Sequence, residues 1–389
     1  MSQVRRRRQR SVAAILVVVG GLRCGGDATG PGGVAFQNLS AGLRHTCGIG
    51  AGGVGYCWGT NTSGRLGTGD TTRRSDPAGT VGGVRFTSVS GGGFHSCGLT
   101  AAGAAYCWGD NSLGQLGVGT DTTDRATPTL VAGTLAFRSV SAGYLHTCGV
   151  ATTGAAYCWG YNFFGQLGDG TGAGQFTPKA VSGGASFSSL SAGLLHTCGV
   201  VAADSTARCW GSNSAGQLGI GGGPSQFTPT PVADGRRFSV VGAGGGHTCG
   251  IVASGSRDIY CWGENESGQL GVGDTTDRFV PVEITGGLAF ASLAVGGAFT
   301  CGIASSSAAY CWGDNSLGQL GNGGTADQWG PALVTGGLSF VALVAGGAHN
   351  CGIAGVAYCW GFNDSGQLGD GTRNGSLVPV RVTGQANPK

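Results

Sequence analysis

Tyr106-Cys107-Trp108-Gly109-Asp110-Asn111-Ser112-Leu113-Gly114-Gln115-Leu116-Gly117-Val118-Gly119 is one of seven versions of a single stretch in this chain of 389 residues. Each version contains Cys-Trp-Gly near its start. The tryptophans, Trp58, Trp108, Trp159, Trp210, Trp262, Trp312 and Trp360, recur at intervals of 48 to 52 residues, a regularity that chance does not produce. Working outward, the unit reads F-x-x-[LV]-S-A-G-x-x-H-T-C-G-[VI], a short piece with glycine, A-Y-C-W-G-x-N-x-x-G-Q-L-G-x-G, a variable loop, and P-x-x-V-x-G-G. Length alone would allow two domains, but a closed array of repeats is one unit at this size.

Each unit holds four short strand signals bounded by turn residues: around Pro-x-x-Val, around the Phe, around His-x-Cys and around Tyr-Cys-Trp. No segment sustains a 3.6-residue period, so helix is nearly absent. Glycine contributes 83 residues without a triplet period, beside 40% apolar residues, which excludes collagen and disorder and marks tight turns. Four antiparallel strands per repeat make a propeller blade. The expected fold is therefore all-β, a seven-bladed β-propeller of four-stranded antiparallel blades over residues 34–384, with 385–389 as a tail. The first unit opens at Val34-Ala35-Phe36 without a preceding Pro-x-x-Val strand, and the last ends in Leu377-Val378-Pro379-Val380-Arg381-Val382. This C-terminal strand is expected to complete the first blade beside the Phe36 strand and so close the ring.

The stretch Tyr106 to Gly119, with Ser141 to Thr147 as an instance of S-A-G-x-x-H-T, resembles the repeat of the regulator of chromosome condensation family. The resemblance spans residues 34–384. It implies a seven-bladed propeller whose blades are shared between successive repeats, and it implies no single function. Family members include a nuclear guanine-nucleotide exchange factor, domains attached to ubiquitin ligases, and secreted bacterial proteins that cover β-lactamases with one propeller face. The bacterial secreted type is the best match to the export features described next.

Residues 1–23 read as an export signal: a run of arginines, then the apolar stretch Val12 to Val19, too short to span a bilayer as a mature helix. Cys24 stands where a bacterial lipoprotein carries its lipid, although Arg23 occupies a position usually held by a small residue. Lipidation and an unmodified basic leader both stay open. Residues 24–33 form a Gly-rich tether. The formal charge of +3 includes six arginines before Cys24, so the remainder carries 3 − 6 = −3. With only Lys179 and Lys389 as lysines, it lacks the basic stripe that nucleic acid requires. The expected location is the cell envelope or the medium, with membrane attachment only through an N-terminal lipid.

Fourteen of the fifteen cysteines fall into pairs that flank one predicted hairpin each: Cys47 with Cys57, Cys97 with Cys107, Cys148 with Cys158, Cys198 with Cys209, Cys249 with Cys261, Cys301 with Cys311, and Cys351 with Cys359. Residues opposed across a ladder at a non-hydrogen-bonded site lie about 4.5 Å apart at Cα, within reach of a disulfide. Disulfides are the leading reading. Reduced buried thiols remain an alternative, as does a His-Cys metal site such as His45, Cys47 and Cys57, although that spacing fits no common zinc pattern.

No catalytic motif is present: no G-x-S-x-G, no phosphate loop, no H-E-x-x-H. Asp121 with Asp124 and Asp274 with Asp277 lack the alternating oxygen ligands of a calcium loop and read as solvated turn acids. No cofactor is implied. His45, His95, His146, His196, His247 and His349 share one repeat position, where Phe299 stands in the sixth unit, and such a repeated residue is architectural. Function is expected where the repeats differ. Strand directions put the S-A-G-x-x-H loops and the G-x-N-x-x-G-Q-L-G loops on one face. There Leu43, Arg44, Phe94, Tyr144, Leu145, Leu194 and Leu195 give the first four units bulk before the histidine, and the third adds Tyr161, Phe163 and Phe164. These ten residues are the candidate partner-binding surface; the alternative is that they fill the top of the central channel. A second uneven position, Ser75, Ala126, Phe176, Phe227, Phe279, Trp329 and Leu377, is expected to wedge between neighbouring blades.

The leading functional expectation is a monomeric, exported, non-enzymatic scaffold that binds a protein or cell-surface ligand through one propeller face. Guanine-nucleotide exchange on a small GTPase is the alternative that the family resemblance implies. A polysaccharide hydrolase or lyase is the third reading, and no acid or base cluster can be assigned to it.

Overall fold

The strand signals become four short strands per unit. In the first unit these are β1 (Asn38–Ala41), β2 (His45–Ile49), β3 (Gly55–Gly59) and β4 (Arg74–Gly79). The structure, a computed structural model, describes residues 33–253 and 255–386. The expected export signal, Cys24, the tether and the end of the tail lie outside the described residues. Seven four-stranded antiparallel sheets follow one another in chain order, each made of four consecutive strands. Apart from two three-residue 3₁₀ turns, the described residues hold no helix, so none is long and apolar enough to cross a membrane.

The first strand of each blade lies innermost. The loops that leave these strands, at Gly42, Gly92, Gly143, Gly193, Gly244, Gly296 and Gly346, line one central opening. The Pro-x-x-Val strand lies outermost, paired with the Tyr-Cys-Trp strand of its own unit. Ring closure therefore differs from the expectation. Strand Ser376–Arg381 pairs with Val356–Gly361 in the seventh blade, with Tyr358 opposite Arg381 and Cys359 opposite Val380, and not beside Phe36 in the first. Each blade is one contiguous unit, so no strand is missing from the first and none is shared between repeats. A cyclic repeat can be cut at any phase, and the outer strand followed its own hairpin because the antiparallel ladder there needs only one loop. What ties the ends is smaller: the Val34 amide donates to Gly384 O at 2.7 Å, and Gln385 exchanges hydrogen bonds with the Ala357 backbone at 2.7 and 2.8 Å.

The apolar cores lie between blades. Phe36, Leu39 and Trp58 of the first blade pack with Cys351, Cys359, Leu368 and Val382 of the seventh. The same arrangement recurs around the ring, with Phe86 and Trp108 against Cys47, Cys57 and Leu66. All seven Cys-Trp-Gly tryptophans are fully buried. Side chains of this size dominate core energetics, so each blade depends on its neighbour for a core.

The fourteen paired cysteines form seven disulfides, each linking residues directly opposite across the second and third strands, as in Cys47 and Cys57 at a Cα separation of 4.1 Å. Such bonds persist in an oxidising compartment and are rare in the reducing cytosol.

Candidate protein-binding face

Two loop sets share one face of the disc because the residue after each Cys-Trp-Gly donates its amide to the carbonyl before the histidine position. Thr60 bonds Arg44 O at 2.9 Å, Tyr161 bonds Leu145 O at 3.0 Å and Glu264 bonds Gly246 O at 2.9 Å. The loop asparagine holds the second set in shape: Asn61 Oδ1 accepts from the Leu66 amide at 2.9 Å while its Nδ2 donates to Asp70 O and Thr72 O. Asp121 and Asp274 accept from nearby threonine amides and pair with Arg125 and Arg278, and Asp124 and Asp277 accept the amides of Asn111 and Asn265. These acids brace loops. Among the described residues no group of three His, Cys, Asp or Glu could hold a metal ion.

The loop of each blade reaches over the next. Gln115 O accepts from both Thr147 Oγ1 (2.8 Å) and Trp159 Nε1 (3.0 Å) of the third blade. At the closing seam Gln367 O accepts from Thr46 and Trp58, both at 2.9 Å. Gly369 (φ +67°) lies so close to Trp58 that a Cβ would sit 2.6 Å from the indole nitrogen, which explains glycine there.

The repeated histidines are buried and each contacts the neighbouring blade: His95 Nε2 lies 2.7 Å from Thr147 Oγ1, His146 2.9 Å from Thr197 Oγ1, and His349 2.8 Å from Thr46 Oγ1. The hydroxyl proton of each threonine is already given to a glutamine carbonyl, so the hydroxyl accepts and the imidazole carries its proton on Nε2. Burial holds these rings neutral, lowering His95, His196 and His349 to about 4 and His146 and His247 to about 3. In the sixth blade Phe299 takes the histidine position, and the facing residue of the seventh is Asn350, which still donates to Gln319 O at 2.6 Å. Both members of the pair differ together.

The candidate residues divide by position. Leu43, Tyr144 and Leu194 line the central opening, so part of the bulk does crowd the channel mouth. Phe94, Leu145, Tyr161, Phe164 and Leu195 are half-buried on the loop face, and Arg44 is exposed. Phe163 stands 67% exposed, edge-on to Phe164 with ring centroids 5.1 Å apart. Phe94 and Tyr144 stack edge to face at 5.0 Å, joining blades two and three. The rim residues Phe176, Phe227, Phe279, Trp329 and Leu377 each cover a loop glycine of the preceding blade, as Phe176 covers Gly114, yet keep 36 to 51% of their surface exposed.

One further repeat position departs from the others. Arg65 occupies the place of the glutamine in G-Q-L-G, is only 3% exposed, and lies over the Phe94 ring at 4.9 Å. Arg65, Phe94 and Tyr144 thus form one stack across three blades. The signal was visible as G-R-L-G among six copies of G-Q-L-G. On the opposite side the face is acidic: Glu264 sits over Gly246, and burial together with Glu266 and Asp277 raises its carboxyl above the usual range.

Residues 55–389 match the family model described as the RCC1-like domain. The chain is 29% identical over 255 residues to the ultraviolet-B receptor UVR8 of Arabidopsis thaliana, covering 64% of this chain and 58% of that protein. It is 41% identical over 87 residues to the human probable E3 ubiquitin-protein ligase HERC3, 22% of this chain and 8% of that one. The chain therefore spans well under two thirds of these relatives, which are a plant and a human protein. Among solved structures, Prp20p of Saccharomyces cerevisiae, described with its binding properties to Gsp1p and histones, superposes with a TM-score of 0.75 at 20% identity, covering 90% of this chain and 87% of that one. Human WBSCR16 also gives 0.75 at 20% identity, over 82% of this chain and 86% of that one. With seven matching repeats, seven sequential blades and a family model that covers most of its length, the chain belongs to the RCC1-like domain family.

Proposed function

We propose that the protein is an exported, non-enzymatic interaction scaffold of the bacterial secreted type, which engages a protein or cell-surface ligand through the loop face of blades one to four. The observation that carries this reading is Phe163, an aromatic ring two-thirds exposed on a loop that asparagine and glutamine side chains hold rigid. Rigid loops that present aromatic groups suit recognition at low entropic cost. Seven disulfides support export, which fits residues 1–23 as signal and residues 24–33 as tether; Cys24 as lipid acceptor is a separate part of this proposal that rests on its place after the apolar stretch. The protein acts as a monomer in this reading, with membrane contact only through that lipid, and it takes no cofactor and no nucleic acid.

Pull-down from the native envelope or medium tests the face. Capture of a partner by the wild type and its loss with Tyr144→Ala plus Phe164→Ala is the expected result, whereas capture unchanged by both substitutions assigns binding to another surface. Guanine-nucleotide exchange rests on family likeness, including that to Prp20p. The disulfide-rich build argues against it, because small GTPases work in the reducing cytosol. Acceleration of nucleotide release from a small GTPase would favour it.

A further inference from the structure

Arg65 lines a pocket between blades one, two and seven together with Arg44, Arg73, Thr60, Thr62 and Phe94. In the other six blades the equivalent glutamine uses its side-chain oxygen to accept a loop amide, as Gln115 does from Leu113 at 2.9 Å and Gln319 from Leu317 at 2.9 Å. A guanidinium has no acceptor, so Arg65 forgoes that brace. It donates instead to Gly93 O at 3.0 Å and Thr62 Oγ1 at 2.9 Å, and its Nε has no partner. No carboxylate forms an ion pair with it among the described residues. A buried cation whose hydrogen bonds all go to neutral groups is costly, and burial lowers the Arg65 guanidinium to about 10 even though Asp110 and Asp124 act in the opposite direction.

The other charged groups of the pocket wall are Arg44, Arg73 and Asp364, and the carboxylates of Asp110 and Asp124 act on Arg65 from the second blade without forming an ion pair. Arg73 is exposed and forms no ion pair among the described residues, and Arg44 meets Asp364 at 3.3 Å with both side chains about half exposed. Three arginines and one carboxylate thus line the pocket itself, on a body whose net charge outside the leader is negative. The pocket is continuous with the aromatic stack, since Arg65 lies on Phe94 and Phe94 on Tyr144. We propose that this pocket is an anion subsite of the binding face, receiving a carboxylate side chain from an acidic segment of the bound protein. A planar carboxylate matches the guanidinium fork, and a neighbouring apolar residue of the same segment would rest on Phe94 and Leu43. The subsite rests on the reading of the loop face as a binding surface.

The probe is fluorescein-labelled hexaglutamate, titrated by anisotropy against the full chain at low ionic strength, with hexalysine and inorganic phosphate for comparison. Arg65→Gln places in blade one the side chain that six other blades carry, so its fold is secure, and Arg73→Gln changes only an exposed residue. Either substitution is expected to weaken hexaglutamate binding by about tenfold or more. Arg278→Gln, which removes the same charge in blade five, is expected to change it less than about twofold, and added salt should weaken binding to the wild type. Absence of saturable binding, equal losses in all three variants, or binding of phosphate without binding of hexaglutamate would each overturn the proposal. Partner capture that survives Arg65→Gln but not Tyr144→Ala plus Phe164→Ala would reject the subsite and leave the face intact; capture that survives both would reject the face as well.

Discussion

His349 Nε2 lies 2.8 Å from Thr46 Oγ1, joining residues 303 positions apart in sequence. Thr46 passes its own proton to Gln367 O, so the seam between the last blade and the first carries the same bonds as the seams between consecutive blades. The seam between blades six and seven lacks the histidine-to-hydroxyl bond because Phe299 and Asn350 replace the pair, while Asn350 Nδ2 keeps the bond to the Gln319 carbonyl.

Moving that natural exception to the closing seam should reveal the coupling. His349→Phe alone removes a buried hydrogen bond and is expected to cost about 1–3 kcal/mol. Adding Thr46→Asn recreates the Phe299 and Asn350 arrangement and should recover at least half of the loss. Denaturant unfolding of the two single variants and the double variant measures this coupling, and strictly additive losses would contradict it.

Acid should destabilise the ring through the same residues. The native pKa values of His95, His146, His196, His247 and His349 are depressed to between about 3 and 4 by burial, and that of His45 is also well below normal. The unfolded chain binds protons near the ordinary value of about 6.5, so below that pH it holds more protons than the native state. Stability is therefore fully present above about pH 6.5 and falls as pH drops toward 4. Denaturation midpoints at pH 7.5 and 4.5 should show a loss of several kcal/mol in total, and His349→Phe with Thr46→Asn should reduce the slope.

Most of the fold was legible in the residues because the repeat reports the same physical demand seven times. The Cys-Trp-Gly spacing specifies blade number, and opposed cysteines specify hairpin register. Ring closure was not legible, because Pro-x-x-Val lies between units and sequence alone does not say whether it pairs backward or forward. Nor was the link between Phe299 and Asn350, since the contact joins neighbouring units and not residues within one. For the candidate face, the loop set was placed correctly from strand direction. Which bulky residues point at the channel depended on side-chain packing: Tyr144 leans over Gly93, where a Cβ would meet its ring at 2.6 Å, while Phe163 has no such neighbour to cover it. Arg65 is legible as a departure from the glutamine of the other six units, but its place over the Phe94 ring of the next blade is not, since that contact joins two units.

The disulfides should act as local staples and not as a single clasp. Each closes a loop of 8 to 12 residues. Replacing Cys198 and Cys209 together by serine is expected to cost about 2–3 kcal/mol in the chain-entropy account. Because blades share cores only with neighbours, the largest rise in hydrogen exchange should fall in the fourth blade and the two beside it. Non-reducing mass spectrometry of the wild type should find all seven pairs oxidised, and free thiols at those positions would remove the argument for an oxidising compartment.

Function is proposed to lie where the repeats disagree, and hydrogen-exchange mass spectrometry of the protein with and without its captured partner tests that most directly. Protection is predicted in the loops around Leu43 and Arg44, Phe94, Tyr144 and Leu145, Tyr161 to Phe164, and Leu194 and Leu195, with the equivalent loops of blades five and six unchanged. Protection confined to the outer strands that carry Phe227, Phe279 and Trp329, or spread evenly over all seven blades, would contradict it.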